Sequence, residues 1–253
     1  MPRDDLGTEV ELARPVERLV SLVPSLTESV ASVRPDAVVG ATQWCTHPSE
    51  LGTVRVRGTK NPDVAAIIAL APELVLANKE ENRRADVARL RGAGVPVWVT
   101  DIETVDQALS SLGRLFTEAL QWAEPGWLAS ARAAWAAPAP EPAIRVAIPI
   151  WRDPWMVVGA RTFTGDLAAR LGLVNVFGTS AQRYPHVELD AILAADPQLV
   201  VLPDEPYRFT AQDGPECFAG ATALVEGRLL TWYGPSLAHA RATLTAQLRP
   251  AER

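Results

Sequence analysis

Two segments in opposite halves of the chain share nearly the same pattern of residues, and this repeat constrains the fold more than any other feature. Ala66-Ile-Ile-Ala-Leu-Ala-Pro72-Glu-Leu-Val75 matches Ala191-Ile-Leu-Ala-Ala-Asp-Pro197-Gln-Leu-Val200. In each segment a short apolar helix is predicted to end before the proline, which a helix interior does not accommodate, and a buried strand follows. The repeat indicates one structural unit used twice.

Short apolar, β-branched runs occur four times in each half, with helical patterns between them. They cover residues 18–23, 37–40, 73–77 and 95–100 in the first half, and 145–148, 174–177, 198–202 and 228–232 in the second. Continuous apolar strands that alternate with helices are typical of parallel sheets covered on both faces. The sequence therefore predicts an α/β fold of two Rossmann-like lobes with mainly parallel sheets and a ligand cleft between the lobes.

A helical segment is predicted to join the two lobes. Leu109, Leu112, Phe116 and Leu120 have helical spacing, and a second helix over 127–137 ends at a proline-rich stretch. We therefore expect an N-terminal lobe over 1–103, linking helices and a proline-rich segment over 104–142, and a C-terminal lobe over 143–253.

Composition excludes several classes of protein. With 48% hydrophobic and 21% charged residues, the 253-residue chain is an ordinary globular protein. Two cysteines are too few for a disulfide framework, and a net charge of −6 gives no basic footprint for nucleic acid. No apolar run is long enough to insert into a membrane. We expect a monomer with no nucleic-acid partner.

The first 15 residues are rich in acidic side chains and contain no apolar run, unlike a secretory leader. As written, the sequence therefore predicts a cytoplasmic protein. A periplasmic or extracellular location is the alternative if a leader precedes this start.

Candidate binding residues follow the predicted strands, because ligands of open α/β sheets bind beyond the carboxyl ends of the strands. Several are aromatic, which favours a large, flat, partly apolar ligand, and others are polar groups suited to its edges. The aromatic candidates are Trp44, Trp151, Trp155, Tyr207 and Trp232, and the polar candidates are Ser25, Lys60, Asn78, Lys79 and Arg152.

Catalytic and metal-binding motifs are mostly absent from the sequence. There is no dinucleotide fingerprint, P-loop or nucleophile elbow. Glu80 and Glu81 precede a predicted helix, whose positive end they would favour. The histidines match no standard metal site, although His47 or His186 could be an axial ligand to a metal already held in a chelate. We expect no catalytic residues, no resident metal and no covalently bound cofactor.

Several motifs of the first half resemble one family. Arg18-Leu-Val-Ser-Leu-Val-Pro-Ser-Leu-Thr-Glu28, Cys45-Thr-His-Pro48, Gly58-Thr-Lys-Asn-Pro62 and Ala69-Leu-Ala-Pro-Glu-Leu-Val-Leu-Ala77 are similar to the cobalamin- and siderophore-type substrate-binding proteins of ABC importers, also called helical-backbone metal receptors. The resemblance runs from about residue 14 to the C-terminus. Within that family the sequence looks like a leaderless, cobalamin-binding-like subgroup.

The resemblance implies a non-catalytic receptor for a metal chelate, most often a corrinoid such as cobalamin, and an ABC importer permease as a possible partner. It places the acidic residues that dock on the permease at positions 65 and 190, of which Asp190 is acidic and Ala65 is not.

Three alternatives stay open at this point. A ferric siderophore or haem would depend more on Arg152, Arg161, Arg183 and Arg208. A cytosolic enzyme acting on a corrinoid or nucleotide-like substrate would need an acid or base from Glu28, His47, Glu80, Glu81 or Asp204. A scaffold with a vestigial cleft would need none of these residues.

Overall fold

A computed structural model describes residues 1–12, 15–141 and 143–248. The chain divides into two compact units. Unit 1 comprises residues 1–102, 107–129 and 233–235, and unit 2 comprises residues 103–106, 130–232 and 236–253. The helical segment predicted over 104–142 is thus shared between the two units. Its predicted boundary residue Pro142 and the last residues, 249–253, lie outside the described part of the chain.

Unit 1 is built on a parallel sheet. Its strands are β1 (Leu19–Ser21), β2 (Val38–Ala41), β3 (Val54–Arg55), β4 (Arg57–Gly58), β5 (Asn61–Pro62), β6 (Leu74–Asn78) and β7 (Val97–Thr100). Among the described residues the sheet has the order β3-β2-β1-β6-β7 with all neighbours parallel, while β4 and β5 form a small antiparallel hairpin. The helices of this part of the chain are α1 (Pro24–Ala31), α2 (Val64–Ala69), α3 (Arg84–Gly92) and α4 (Val105–Arg114).

Unit 2 has a second parallel sheet. After α5 (Gly126–Trp135) come strands β8 (Ile144–Ala147), β9 (Pro149–Trp151), β10 (Met156–Val157), β11 (Leu173–Asn175), β12 (Leu199–Pro203) and β13 (Thr222–Val225). Its helices are α6 (Phe163–Arg170), α7 (Leu189–Ala194), α8 (Gly227–Thr231) and α9 (Leu237–Gln247). The described strands pair in the parallel order β11-β8-β12-β13, and β9 and β10 form an antiparallel pair. The prediction of an α/β fold with mainly parallel sheets is confirmed.

The repeat in the sequence has a structural counterpart in each unit. Helix α2 precedes β6 in unit 1, and helix α7 precedes β12 in unit 2. In both, the residue before the proline has a left-handed backbone, with φ of 46° at Ala71 and 48° at Asp196. A left-handed residue ends a helix, and a following proline prevents its continuation. The same local chemistry therefore turns the chain from helix to buried strand twice.

The structure corrects the last predicted strand of the second half. Residues 228–232 were expected to be a strand, whereas Gly227–Thr231 is helix α8 and the strand lies earlier, at Thr222–Val225. The backbone N–H of Gly227 donates to Asp204 Oδ1 at 2.7 Å at the start of the helix. A short apolar run such as this one does not distinguish a strand from a buried helix by periodicity alone.

The helical segment after β7 also differs in detail from the single helix that the spacing of residues 109, 112, 116 and 120 predicts. Helix α4 ends at Arg114 and continues as a π-helical turn over Leu115–Ala119. Leu112, Phe116 and Leu120, three of the residues that predicted the helix, are fully buried. The apolar periodicity therefore identified the buried face correctly.

Each unit has its own hydrophobic core. In unit 1, Val20, Ile67, Val75 and Val99 belong to one buried cluster, and all five residues of β6 are buried. Burial of each aliphatic side chain contributes about 1.5–3 kcal/mol relative to exposure. In unit 2 the corresponding buried cluster is partly aromatic and includes Trp155. The loops after the strands are thus carried by rigid cores.

The N-terminal residues form part of unit 1. Asp4 is almost fully buried; its carboxylate accepts the backbone N–H groups of Leu6 and Thr8 and lies 2.7 Å from Arg91 Nη2. Asp5 accepts the Ser111 hydroxyl and pairs with Arg114 at 2.9 Å. The acidic residues near the N-terminus therefore anchor this segment on the unit.

Candidate functional site

The residues predicted to bind ligand in unit 1 are Ser25, Trp44, Lys60, Asn78 and Lys79, and we call this set the unit 1 surface. Apart from Lys60, they lie at or after the carboxyl ends of strands of the parallel sheet. Ser25 is the second residue of α1 and is 3% exposed. Lys60 and Lys79 have exposed side chains, on the β4–β5 hairpin and directly after β6.

Asn78 shapes the turn after β6. Its side-chain amide donates to Thr100 Oγ1 at 3.0 Å, and its Oδ1 accepts the backbone N–H of Glu80 at 2.8 Å. Its own backbone N–H donates to Asn82 Oδ1 at 2.8 Å. Since Asn78 is 3% exposed, its amide holds the turn that presents Lys79 and Glu80.

Both lysines of the chain are held by oxygen atoms of unit 1. Lys79 Nζ lies 2.6 Å from Asp101 Oδ2, and Lys60 Nζ donates to the backbone carbonyl of Glu80. Solvent screening and the entropy lost by a long side chain make such exposed contacts weak, so a ligand could displace them at small cost.

Trp44 presents an indole at this surface. Its side chain is 59% exposed, although the neighbouring Cys45 is fully buried and anchors the loop through contacts with Thr27 and Thr42. A Cβ at Gly58 would lie 3.1 Å from Trp44 Nε1, so the absence of a side chain there leaves room for the indole. The loop is fixed from below while the ring faces outward.

Glu81 and Tyr233 form a pair that sequence reasoning missed. The buried Tyr233 hydroxyl donates to Glu81 Oε1 at 3.4 Å. Burial, together with the neighbouring charge of Glu80, raises the pKa of the Glu81 carboxyl to about 7, although the charge of Lys60 and the hydrogen bond from Tyr233 oppose the shift. The same burial, with the charge of Glu81, raises the pKa of Tyr233 well above its usual value.

The sequence offered no signal for this pair, because its members are separated by most of the chain. Glu81 was expected to act at the positive end of the next helix, but that helix begins only at Arg84, with Asp86 in its first turn. The carboxyl of Glu81 contacts a tyrosine contributed by the separate segment 233–235 of unit 1 instead.

The residues predicted to bind ligand in unit 2 are Trp151, Arg152, Trp155, Tyr207 and Trp232, and we call this set the unit 2 surface. Trp151, Arg152 and Trp155 lie at or after the end of β9, and Tyr207 lies after β12. Trp151 is 43% exposed and meets Tyr207 edge to face, with 5.7 Å between ring centroids. Tyr207 in turn lies 4.7 Å from Phe209. The structure thus brings an exposed indole onto a base of packed rings.

Trp155 and Trp232 have different surroundings. Trp155 is 7% exposed, stacks on Phe209 at 6.0 Å and meets Phe218 edge to face at 5.6 Å. It therefore has little area to offer a ligand and supports the surface from within the core. Trp232 is half-buried and directly follows α8, not a strand.

Three carboxylates surround Arg152: Asp213 and Glu216, which accept hydrogen bonds from it, and Asp153, which lies 3.6 Å from its Nε. Its Nη1 donates to Glu216 Oε1 at 2.5 Å and to Asp213 Oδ1, and its guanidinium lies 5.6 Å from the centroid of Trp155. Hydrogen bonding to Glu216 is the main reason that the pKa of Arg152 is raised above its usual value.

The remaining candidates have simpler placements. Arg183 pairs with Glu103 at 2.7 Å, and Arg161 and Arg208 are exposed. Among residues 1–12, 15–141 and 143–248, no three His, Cys, Asp or Glu side chains are grouped to hold a metal ion. His47 is half-buried and His186 is exposed.

Comparison with curated protein sequences finds similarity to vitamin B12-binding proteins. No family model matches the chain. It is similar to the vitamin B12-binding protein of Pectobacterium atrosepticum, with 26% identity over 203 residues, covering 74% of this chain and 71% of that protein. The vitamin B12-binding protein of Yersinia pestis (strain Pestoides F) is 26% identical over 200 residues, covering 75% and 70%.

Solved structures decide the fold. The periplasmic vitamin B12 binding protein BtuF of Vibrio cholerae matches with a TM-score of 0.75 and 20% identity, covering 93% of this chain and 97% of that one. The chain has the fold of the class III substrate-binding proteins. The periplasmic heme-binding protein RhuT from Roseiflexus sp. RS-1 also matches, with a TM-score of 0.75, 21% identity and coverage of 92% and 98%. The family resemblance carried by the sequence motifs is confirmed.

The position expected to dock on a permease is acidic in one of the two repeated helices. Asp190 is exposed in the first turn of α7, and Ala65 is exposed at the matching position of α2. Within the part of the chain that the structure describes, none of the helices has the length and apolar character needed to cross a bilayer.

Proposed function

We propose that this protein binds a corrinoid reversibly and without chemical change, as a substrate-binding protein related to those of ABC importers. The observation that carries the proposal is the similarity to vitamin B12-binding proteins across about three quarters of the chain. The named relatives are binding proteins rather than enzymes, which supports a non-catalytic role.

Exposed indoles in both units support a flat, partly apolar ligand. Trp44 in unit 1 and Trp151 in unit 2 leave 59% and 43% of their surfaces exposed. Exposed rings of this size lose favourable burial unless a partner covers them, and a corrin macrocycle offers a large face for stacking. Affinity would come from burial of that face and a few hydrogen bonds to peripheral amides.

The polar candidates would bind the edges of the ligand. Lys60 and Lys79 can exchange their weak surface partners for amide oxygens of a corrinoid, and Ser25 lies at the start of α1. Asn78 and Trp155 would act indirectly, since both are buried and hold the loops in place.

Haem is the second candidate ligand, because heme-binding proteins are among the structural relatives at the same TM-score as BtuF.

A fluorescence titration separates the candidate ligands. Purified protein is titrated with cyanocobalamin, hemin and a ferric siderophore, with correction for inner-filter absorption. Saturable quenching by cyanocobalamin at micromolar or tighter affinity supports the proposal, and saturation only by hemin or the siderophore replaces the corrinoid with that ligand. No saturable response to any of the three contradicts it.

We further propose that the protein acts outside the cytoplasmic membrane with an importer permease. The cytoplasmic location expected from the sequence is not supported, since the structural relatives are described as periplasmic. Asp190 is the residue we expect to contact the permease. In an uptake assay with the permease that this protein supplies, Asp190→Ala should reduce uptake while leaving ligand affinity unchanged. Unaltered uptake would show that Asp190 does not contact the permease productively.

A further inference from the structure

Arg152 directly follows the exposed Trp151 in the chain, yet carboxylates of the protein already contact its guanidinium. Nη1 contacts both Asp213 and Glu216, and only 21% of the side chain is exposed. A guanidinium recognises an anionic ligand by donating to its carboxylate or phosphate oxygens. Here Nη1 is already directed at two carboxylate oxygens of the protein, and Nε lies 3.6 Å from a third.

The two carboxylates are themselves fixed. The second oxygen of Asp213 accepts the Tyr207 hydroxyl at 2.7 Å, and Glu216 Oε2 accepts the backbone N–H of Gly214 at 2.5 Å. Tyr207 packs against Trp151, so the Asp213 carboxylate is tied directly to the aromatic surface. The ion cluster is therefore part of the same structure that presents the indole.

The two chain segments that contribute Trp151, Arg152, Trp155 and Tyr207 carry a net negative charge. Segments 149–157 and 203–217 contain two cations against five carboxylates, a formal charge of −3: Arg152 and Arg208 against Asp153, Asp204, Glu205, Asp213 and Glu216. At physiological ionic strength such charges act over about 8 Å. Of the five carboxylates, Asp213 is tied to the indole most directly, because it accepts the hydroxyl of Tyr207, whose ring packs on Trp151.

We infer that Asp213 and Glu216 determine ligand specificity by withholding Arg152 and repelling anionic chelates. This inference rests on the proposed function and narrows it. The periphery of a corrinoid is rich in uncharged amides, whereas haem has two propionates and many ferric siderophores are anionic. Rejection of a competitor through like charge is a common route to specificity. The unit 2 surface therefore selects uncharged chelates.

The test is a double substitution, Asp213→Asn with Glu216→Gln, which removes two of the three negative charges around Arg152 while keeping similar side-chain shapes. The matched control is Glu188→Gln with Asp196→Asn, which removes two charges from exposed residues elsewhere on unit 2. Binding of hemin and of cyanocobalamin is measured for the full chain and both variants, with thermal melts to check folding.

We expect the wild-type protein to bind cyanocobalamin at least tenfold more tightly than hemin. The Asp213/Glu216 variant should bind hemin at least tenfold more tightly than wild type, with cyanocobalamin affinity within threefold, and the control should match wild type. If hemin affinity does not change, or changes equally in the control, the inference is overturned while cyanocobalamin binding leaves the proposed function standing. Binding of neither chelate by any of the three proteins overturns both.

A second measurement needs no variant. Since salt screens repulsion, the hemin affinity of the wild-type protein should rise between low and moderate salt. A fall in hemin affinity with added salt would indicate attraction and overturn the inference, even if the double variant failed to fold.

Discussion

Trp151 and Trp155 are four residues apart but have different surroundings. Trp151 ends β9 and is 43% exposed, whereas Trp155 is 7% exposed and stacks on Phe209. The sequence predicted the same stacking role for both, since spacing alone does not reveal which ring packs inward. Their roles at the proposed site should therefore differ, with Trp151 in contact with ligand and Trp155 beneath it.

Replacing Trp151 with alanine should weaken corrinoid binding by about 1–3 kcal/mol, the usual loss for a stacking platform, or roughly 5- to 150-fold in Kd. Trp127→Ala is the control, because Trp127 packs on Phe116 and donates to Ser32 within unit 1. The control should lower stability but leave affinity unchanged. Equal Kd values for wild type and Trp151→Ala in the titration would remove Trp151 from the site.

Glu81 should make stability depend on pH. Its pKa is raised from 4.5 to about 7 in the folded protein, so the native state binds more protons than the unfolded state between these values. The contribution of Glu81 to the free energy of unfolding is therefore fully present below pH 4.5 and is lost as the pH rises through about 7. At about 1.4 kcal/mol per unit, the loss is at most about 3 kcal/mol.

Urea unfolding at several pH values tests this assignment. Glu81→Gln should flatten the decline between pH 5 and pH 8 and be more stable than wild type at pH 8. Glu50→Gln, at an exposed loop position, should follow the wild-type curve. The same slope for Glu81→Gln and wild type would show that Glu81 titrates normally.

The repeated helices α2 and α7 differ at the N-cap, the residue that directly precedes each helix. Asp63 caps α2, with its side chain accepting the backbone N–H of Ala66 at 3.1 Å, and it also lies 3.6 Å from Arg57. At the matching position of α7, Glu188 makes no side-chain cap hydrogen bond. The repeat thus provides a capped and an uncapped version of the same element.

Asp63→Ala should therefore lower the free energy of unfolding by about 0.5–2 kcal/mol, the usual effect of losing an N-cap. Glu188→Ala should change it by less than about 0.5 kcal/mol, as expected for a surface position without a cap. Chemical denaturation of both variants gives the comparison, and similar losses in the two would show that the Asp63 cap contributes nothing specific.

Elements were predictable where a local signal was strong. The proline that ends α2 and α7, and the apolar runs of β6 and β12, identified matching helix–strand pairs in both halves. Strand β13 was missed because the apolar run after it, which forms helix α8, resembled a strand equally well. Which of the two runs forms the strand is determined by which one pairs with β12, and that pairing is a tertiary contact that the local sequence does not show.

At the scale of the whole molecule, the chain order does not match the division into units. Residues 233–235 belong to unit 1, although the residues before and after them belong to unit 2. A Cβ added to Gly234 would lie 2.9 Å from Ser29 Oγ and 3.3 Å from the carbonyl oxygen of Ser25, both on α1. The short segment thus needs glycine because the backbone of α1 approaches closely.

Gly234→Ala should therefore lower the free energy of unfolding by about 1–3 kcal/mol, as overpacking of a well-filled site usually does. Ser29→Ala removes the nearest atom, so the double variant should lose less stability than the sum of the two single variants. Additive losses in the double-mutant cycle would show that Ser29 does not cause the crowding.

Contacts between side chains that are far apart in the chain account for the parts of the site that the sequence did not predict. The choice of strand ends located Trp44, Lys79 and Trp151 from sequence alone, because that rule depends on topology. The partners of Arg152, at positions 213 and 216, and the pairing of Glu81 with Tyr233 depend on how distant loops fold together. Charge pairing and burial at a site therefore had to come from the structure.

Equilibrium dialysis of the full chain against cyanocobalamin tests the central claim most directly, because it measures retention and lets the ligand be recovered for mass spectrometry. We predict saturable retention at one site, with the recovered corrinoid chemically unchanged. Release of an altered corrinoid would contradict a non-catalytic role, and the absence of saturable retention would contradict corrinoid binding itself.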